Sequence, residues 1–228
     1  MIIGNALTTI GVIARSSGAT RALLEKNSRV KKFKKGEHIF NDKDDDVALF
    51  GIIDGTVAVY KMTTSGEKRG IFIFGAGNLL NEDCMYGFHV SADAEVLRDS
   101  DILCVNMNAF EAACAKDPEL SKAVMESVSM KVRRLYHLMK NTSNNLRGDR
   151  RIAAKLWKLS RDHGVKKTAG VEINFDLTIT TLAEFLGSQR ETVSRQVKTL
   201  TDAGLLIVRN SRFIIPSREK LLDFFESM

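Results

Sequence analysis

The stretch that most restricts how this chain folds is residues 178–206, TITTLAEFLGSQRETVSRQVKTLTDAGLL. Its first half predicts a helix from Thr178 to Leu186 that buries Leu182, Phe185 and Leu186, with the small Ala183 where a second helix must cross closely. Gly187 takes a tight turn, and Ser188 is placed to cap the second helix. Set on a wheel of ~100° per residue, Val193, Val197 and Leu200 cluster on one side of that helix. Glu191, Ser194, Arg195 and Lys198 fall on the other, and Arg190 projects from its start. This is the pattern a helix-turn-helix needs. One face holds the helix to its partner, and the opposite face enters the major groove of DNA and reads bases through its first turns. The chemistry is suitable: Arg donates two bonds to guanine O6 and N7, Glu accepts from cytosine N4, and Ser contacts either type of base. Arg190, Glu191, Ser194 and Arg195 are therefore the candidate base readers. Ser188, Gln189 and Lys198 are candidates for the sugar–phosphate backbone, which positions a protein without specifying sequence. Ser188-x-x-Glu191 also fits a capping box, in which Glu191 bonds back to the Ser188 amide. That reading accounts for Glu191 but not for the two arginines beside it.

Downstream, LLIVRNSRFII predicts a β-hairpin turning at Arg209-Asn210-Ser211. Such a hairpin would form the wing of a winged helix-turn-helix, with Arg209 and Arg212 facing phosphates. Upstream, RRIAAKLWKLSRDHG predicts an amphipathic helix ended by Gly164, and VEINFDLT a strand. A last helix comes after Pro216. Charge agrees with this placement. The formal net charge of +6 is uneven: −2 over residues 1–117, +3 over 118–142 and +5 over 143–228. The basic half is where a polyanion would dock.

The first half has a different texture. Residues 36–87 hold 8 of the 16 glycines, with the short β-rich runs HIF, VALFGII, GTVAVYKM and GIFIFGAG between turn signals. DGT and TSGEKRG read as hairpin turns. AEVLRDSDILCVN adds two further short strands, and residues 1–30 read as helix and loop on the outside. The expectation is a sandwich or roll. At Asp117-Pro118 the pattern switches. Asp is a good N-cap and Pro suits the first helical position. A helix then runs without Gly or Pro to about Thr142. Its apolar stripe steps by three and four residues, with Met125, Val132 and Met139 beside it, and suits a coiled-coil partner; the helix is expected both to meet such a partner and to lie on its own β-domain. Val124, Val128, Leu135 and Leu138 are the expected dimer contacts. Residues 141–149 are polar and read as a hinge. The predicted class is α+β, with units at 1–117, 118–143 and 144–228.

Several functions find no support in the sequence. Cys84, Cys104 and Cys114 are odd in number and lack CxxC spacing, so they are expected to be reduced, buried thiols. No run approaches the ~18 apolar residues of a membrane span, and the first 18 residues have no basic leader, so a cytoplasmic protein is expected. No nucleophile–base pairing, metal spacing or phosphate-cradling glycine loop points to an enzyme.

Taken together, these motifs resemble the cyclic AMP receptor protein / fumarate-and-nitrate-reduction regulator family of bacterial transcription factors, over essentially the whole chain. FKKGEHIFNDKDDDVALFGIIDGTVAVYK resembles the family's β-roll, a double-stranded β-helix of the cyclic-nucleotide-binding type. GAGNLLNE resembles the loop after its hairpin, residues 118–142 its dimerisation helix, and LAEFLGSQRETVSRQVKTL its helix-turn-helix. The resemblance implies a homodimer on a two-fold symmetric site with a central G-A in each half, the halves ~34 Å apart. It places Arg190, Glu191 and Arg195 where one branch reads TGTGA. Ser194 with Glu191 and Arg195 is what the TTGAT-reading branch carries. RNA polymerase is a further partner it implies. It also implies a small-molecule effector in the roll, around Leu79, Asn81, Glu82, Ser91, Ala92, Asp93 and Tyr136.

The effector region departs from the family. Cyclic-nucleotide binders carry Gly-Glu for the ribose, then an Arg followed by Ser or Thr for the phosphate. Here Asn81-Glu82 and Ser91-Ala92-Asp93-Ala94 stand instead, and Arg98 lies farther on. Glu82, Asp83, Asp93 and Glu95 crowd acid into the region, whereas a phosphate wants charge-assisted donors. Cyclic AMP is therefore not the expected effector; a neutral or cationic molecule fits better, and a regulator that needs no effector is the other reading. No cysteine precedes Cys84 to hold an iron–sulfur cluster, and a haem would rest on a lone His89 or His38. No cofactor is identified. A competing reading is a cyclic-nucleotide-type module that controls an enzyme without touching DNA. The arginine-bearing helix face speaks against it.

Overall fold

The computed structural model describes residues 3–45, 48–141 and 148–227. The chain divides into two compact units, one of residues 1–66 and 71–137 and the other of residues 67–70 and 138–228.

The N-terminal unit opens with three short helices: α1 (Ile3–Thr9), α2 (Gly11–Ala14) and α3 (Gly18–Lys26). They pack against the strands through an apolar face. Ala6, Ile10, Ile13 and Leu24 are fully buried in one apolar cluster with Leu49, Leu103 and Phe110. Five strands come next: β1 (Ser28–Phe33), β2 (His38–Phe40), β3 (Leu49–Met62), β4 (Lys68–Gly75) and β5 (Asp93–Val105). The sheet order is β1-β5-β3-β4, with β2 also pairing β5. A second cluster, including Phe40, Phe50, Ile52, Val96 and Ile102, fills the inside of the roll.

Two runs expected as separate strands prove to be one. VALFGII and GTVAVYKM merge into the 14-residue β3, and DGT is no turn. The register between β3 and β5 instead shifts at Ile52/Asp54, Asp54/Thr56 and Thr56/Val57. Gly55 supplies the bend at φ 122°, a conformation that L side chains rarely adopt. Likewise, AEVLRDSDILCVN forms one strand, β5. A kinked 3-10 segment, Glu82–Gly87, lies between β4 and β5.

Helices α4 (Met107–Lys116) and α5 (Pro118–Asn141) complete this unit. Asp117 caps α5, accepting from the Leu120 amide at 3.2 Å and from the Ser17 amide at 2.8 Å. These two amides, with the Thr20 and Ser17 hydroxyls, hold its carboxyl well below the ordinary carboxylate range. The cap therefore also fastens the start of α5 to α3. α5 lies on its own β-domain as expected, but through Val124 and Val128, two of the residues assigned to the dimer. Leu120, Ala123 and Val124 are buried against the roll, and Val128 packs beside them. Met125, Val132, Tyr136 and Met139 are among its exposed apolar side chains. A periodic stripe shows that one face is apolar; here the roll takes the centre of that stripe and leaves its flank in solvent. Thr142 and most of the expected hinge lie outside the described residues.

The C-terminal unit contains α6 (Gly148–His163), β6 (Gly164–Lys167), β7 (Gly170–Ile173), α7 (Ile179–Leu186), α8 (Arg190–Asp202), β8 (Ile207–Arg209), β9 (Arg212–Ile215) and α9 (Arg218–Glu226). Its sheet runs β6-β7-β9-β8. The amphipathic α6 buries Ile152, Leu156 and Leu159. The guanidinium groups of Arg161 and Arg218 lie 5.5 and 5.1 Å from the centre of the Trp157 ring, which meets Phe225 edge-on. The strand β6 went unpredicted: GVKK is polar and exposed, and its pairing with β7 is all that makes it a strand.

Candidate nucleic-acid interface

Thr178 caps α7 by accepting from the Thr181 amide at 2.9 Å. Gly187 ends that helix in the left-handed conformation, φ 61° and ψ 43°. Arg151 on α6 donates to the Leu186 carbonyl at 2.7 Å, satisfying one of the acceptors that a helix end leaves open. That contact spans 35 residues and left no local signal in the sequence.

Across the turn, α8 begins at Arg190. Its N-cap is Gln189, which makes no side-chain capping bond. Ser188 is not the cap expected from its type: its amide donates to the Ala183 carbonyl at 3.1 Å, closing the preceding helix. The capping box therefore does not form. Glu191 instead lies 4.0 Å from the Arg190 guanidinium, and both side chains are well exposed. Val193, Val197 and Leu200 are buried, while Arg190, Glu191, Ser194, Arg195 and Lys198 lie on the side away from them, all five exposed. An acidic side chain in the first turn also suits the positive end of the helix dipole.

The hairpin β8–β9 turns at Asn210 and Ser211, with φ 48° and 59°. Positive φ at both central residues is the mark of a type I′ turn, whose twist matches that of paired strands. Arg209 is exposed at its base, whereas Arg212 is half-buried and paired with Asp176 at 3.1 Å. One wing arginine is thus open to solvent and the other is engaged inside the unit.

The expected effector residues scatter. Leu79 is buried in the cluster under α1 and α2 and bridges to Gly51, away from the inside of the roll. Tyr136 is exposed on α5. Asp93 is buried and accepts from the Asp42 amide at 3.2 Å. Asn81 is consumed by the backbone of β3 and its approach: its carbonyl accepts from the Phe50 amide, and its amide donates to the Ala48 carbonyl, both at 2.9 Å. Arg98, the nearest arginine beyond the phosphate position, donates to both carboxylate oxygens of Asp54, at 2.7 and 3.3 Å.

Glu82, the one family-like residue of this set, has a fully buried side chain and is held by α5. Lys131 forms an ion pair with it, and the Ser127 hydroxyl donates to its other oxygen. Lys131 also donates to the Leu80 carbonyl at 3.0 Å and lies 5.2 Å from the centre of the Phe74 ring. Beside this clasp is a cavity of about 190 Å³. Phe40, Val59, Phe72 and Phe74 wall it from the roll, and Val128, Val132 and Leu135 from α5. Asn81, Ser91 and Ala92 are the expected residues that do line it.

The three thiols are buried and free. Burial pushes Cys84 up to about 12 and Cys114 up to about 11, so neither is a thiolate near neutrality. His89 pairs with Asp45, and His38 with Asn41 at 3.0 Å. Among the described residues no group of three His, Cys, Asp or Glu could hold a metal ion, and no helix is long and apolar enough to cross a membrane.

Comparison with known proteins agrees with both halves of this geometry. Residues 30–117 match the model of the cyclic nucleotide-binding domain, and residues 150–224 that of the Crp-like helix-turn-helix domain. The chain is 26% identical over 196 residues to the anaerobic regulatory protein of Bacillus subtilis, covering 85% of this chain and 82% of that one. It is 24% identical over 193 residues to the fumarate and nitrate reduction regulatory protein of Escherichia coli, covering 85% and 77%. Its fold matches the solved structure of FixK2 from Bradyrhizobium japonicum with a TM-score of 0.77, at 17% identity over 88% of this chain and 98% of that one. A roll of the cyclic-nucleotide-binding type, joined to a winged helix-turn-helix whose second helix exposes its basic face, places this chain in the Crp/Fnr family of DNA-binding transcription regulators.

Proposed function

We propose that the chain works as a homodimer on a two-fold symmetric promoter site, with its DNA affinity set by a small molecule held in the N-terminal unit. The observation that carries the DNA half is the row Arg190, Glu191, Ser194 and Arg195 on the solvent side of a helix whose opposite side is buried. In this reading Arg190 and Arg195 donate to guanine edges, Glu191 accepts from cytosine, and Ser194 adjusts the choice between them. Gln189, Lys198 and Arg209 neutralise or bond phosphates. Ser188 contributes through its position at the turn, and Arg212 helps only if it releases Asp176. Binding then weakens with added salt as counterions are released.

The dimer seam is the solvent-facing flank of α5. Met125, Ser129, Val132, Tyr136 and Met139 succeed one another by four and three residues, and all five are exposed. That is the alternation a left-handed coiled coil uses. The face holding Val124 and Val128 is already taken by the roll. The effector is not cyclic AMP, because Asn81, Glu82 and Arg98 are engaged elsewhere. The chain acts in the cytoplasm, contacts RNA polymerase from the bound promoter, and has no enzymatic step. An effector would shift the populations of pre-existing orientations of the DNA-binding units.

The test is selection of duplexes from a random pool by the full chain, with sedimentation of the resulting complex. Recovery of an inverted repeat bound by two chains supports the reading. A consensus without two-fold symmetry, or a one-to-one complex, contradicts it.

A further inference from the structure

The cavity between the roll and α5 differs in character from a nucleotide site. Its walls are aromatic and aliphatic on the roll side and mainly aliphatic on α5, and its volume of about 190 Å³ falls below the ~300–1,000 Å³ typical of sites for drug-sized ligands. The polar groups at its edge already have partners. Asn81 is bonded through both ends of its amide. The Ser91 hydroxyl donates to Asp83 at 3.1 Å, and the Ser91 carbonyl accepts from Lys61 at 2.9 Å. Lys131, the one cation among the lining residues, is neutralised by Glu82.

From this we infer that the cavity binds a compact, uncharged, largely apolar molecule with one or two rings. The identification rests on the reading of the N-terminal unit as the sensing half. An anionic ligand would have to draw Lys131 away from a carboxylate that has no exposure to water, and would meet Asp83 at the rim. Removing one partner of a buried ion pair is strongly unfavourable. A cationic ligand would place its charge beside Lys131, and the one carboxylate in the lining, Asp83, is exposed at the rim and already accepts from the Ser91 hydroxyl. An uncharged apolar ligand disturbs none of these bonds and gains contact with both walls, and apolar cavities of about this size take up single-ring molecules readily. The occupant would touch Val128, Val132 and Leu135 together with Phe40 and Phe72, so it would fix the position of α5 against the roll.

The experiment titrates the full-length protein, by calorimetry, with toluene, indole, indole-3-acetate, tryptamine and cyclic AMP. The three indoles share a ring and differ in charge. Saturable binding of indole or toluene at one per chain is expected, with indole at least tenfold tighter than either charged analogue and cyclic AMP not bound. Ala92→Leu, which adds bulk from the lining, should weaken indole at least tenfold while the circular dichroism is unchanged. Equal or tighter binding of indole-3-acetate, tryptamine or cyclic AMP overturns the inference. So does absence of binding by both neutral probes, or unaltered indole affinity in a folded Ala92→Leu protein. If that variant does not fold, the comparison of ligands on the unsubstituted protein decides alone. Binding of the selected duplex is measured in parallel. Duplex binding without uptake of a neutral probe refutes this inference and leaves the regulator reading standing; loss of duplex binding with indole still bound refutes only the latter.

Discussion

The Glu82–Lys131 clasp makes a quantitative prediction about how α5 is held. The side chain of Glu82 is 0% exposed and that of Lys131 14%. Substituting Lys131 with Met leaves a buried carboxylate with only the Ser127 hydroxyl, and breaking such a pair costs about 3–5 kcal/mol. Glu82→Gln should cost less, about 1–3 kcal/mol, because the ammonium keeps the Leu80 carbonyl and partial access to water. Removing both charges with Glu82→Leu and Lys131→Met together should fall within about 1 kcal/mol of the parent or above it, since an apolar replacement of a buried pair is often neutral or stabilising. Hydrogen exchange of the β3 and β5 amides reads this directly. A loss of about 3–5 kcal/mol lowers protection by about two to nearly four powers of ten. Trp157, the single tryptophan, lies in the other unit, so its emission during urea unfolding serves as an internal control that should not move. If Lys131→Met changes protection less than Glu82→Gln does, or if the double variant is worse than either single one, the clasp is not the buried pair described here.

Single positions carry the remaining predictions. Gly55→Ala should destabilise the N-terminal unit by at least about 2 kcal/mol, because the backbone there has φ 122° and a Cβ would come within 2.7 Å of the Ser100 Cα; thermal unfolding measures it. Thr178→Ala should cost the C-terminal unit about 1 kcal/mol, the usual loss of an N-cap, seen as an earlier Trp157 transition in urea. The thiols give a pH dependence. Burial raises Cys84 and Cys114 above their ordinary value, so their contribution to stability is complete below about pH 9 and declines as the pH rises from 9 toward 12. Denaturation midpoints between about pH 8 and 11 should fall in the parent, and fall less when both are replaced by Ala. At neutral pH, iodoacetamide should label these thiols slowly until the chain unfolds.

Much of the C-terminal unit could be read from the sequence because its signals are local. The helical period of Val193, Val197 and Leu200 identifies the buried face of α8, and Gly187 can adopt the left-handed turn that the crossing needs. Asp117-Pro118 marks the start of α5 by the same kind of short-range chemistry. What escaped depends on distant partners. The residues Asp54, Gly55 and Thr56 have turn composition, yet pairing with β5 draws them into a bulged strand. A stripe along α5 does not say which neighbour it meets, and the roll claims Val124 and Val128. Ser188 has the composition of a cap, but its amide is drawn back to Ala183 and the helix starts later. Glu82 and Lys131 lie 49 residues apart, and no periodicity links them.

The outward face of α8 is the heart of the account, and Arg195 tests it most directly. Fluorescence anisotropy should compare the parent and Arg195→Ala on the selected inverted repeat and on duplexes that place each of the other bases at the central G of each half-site. The parent should prefer G over the alternatives by about 1–3 kcal/mol per half-site. In Arg195→Ala that preference should vanish, while the weaker affinity for unrelated DNA and its salt dependence change little. A variant that keeps the full preference for G at that position would contradict base reading by α8.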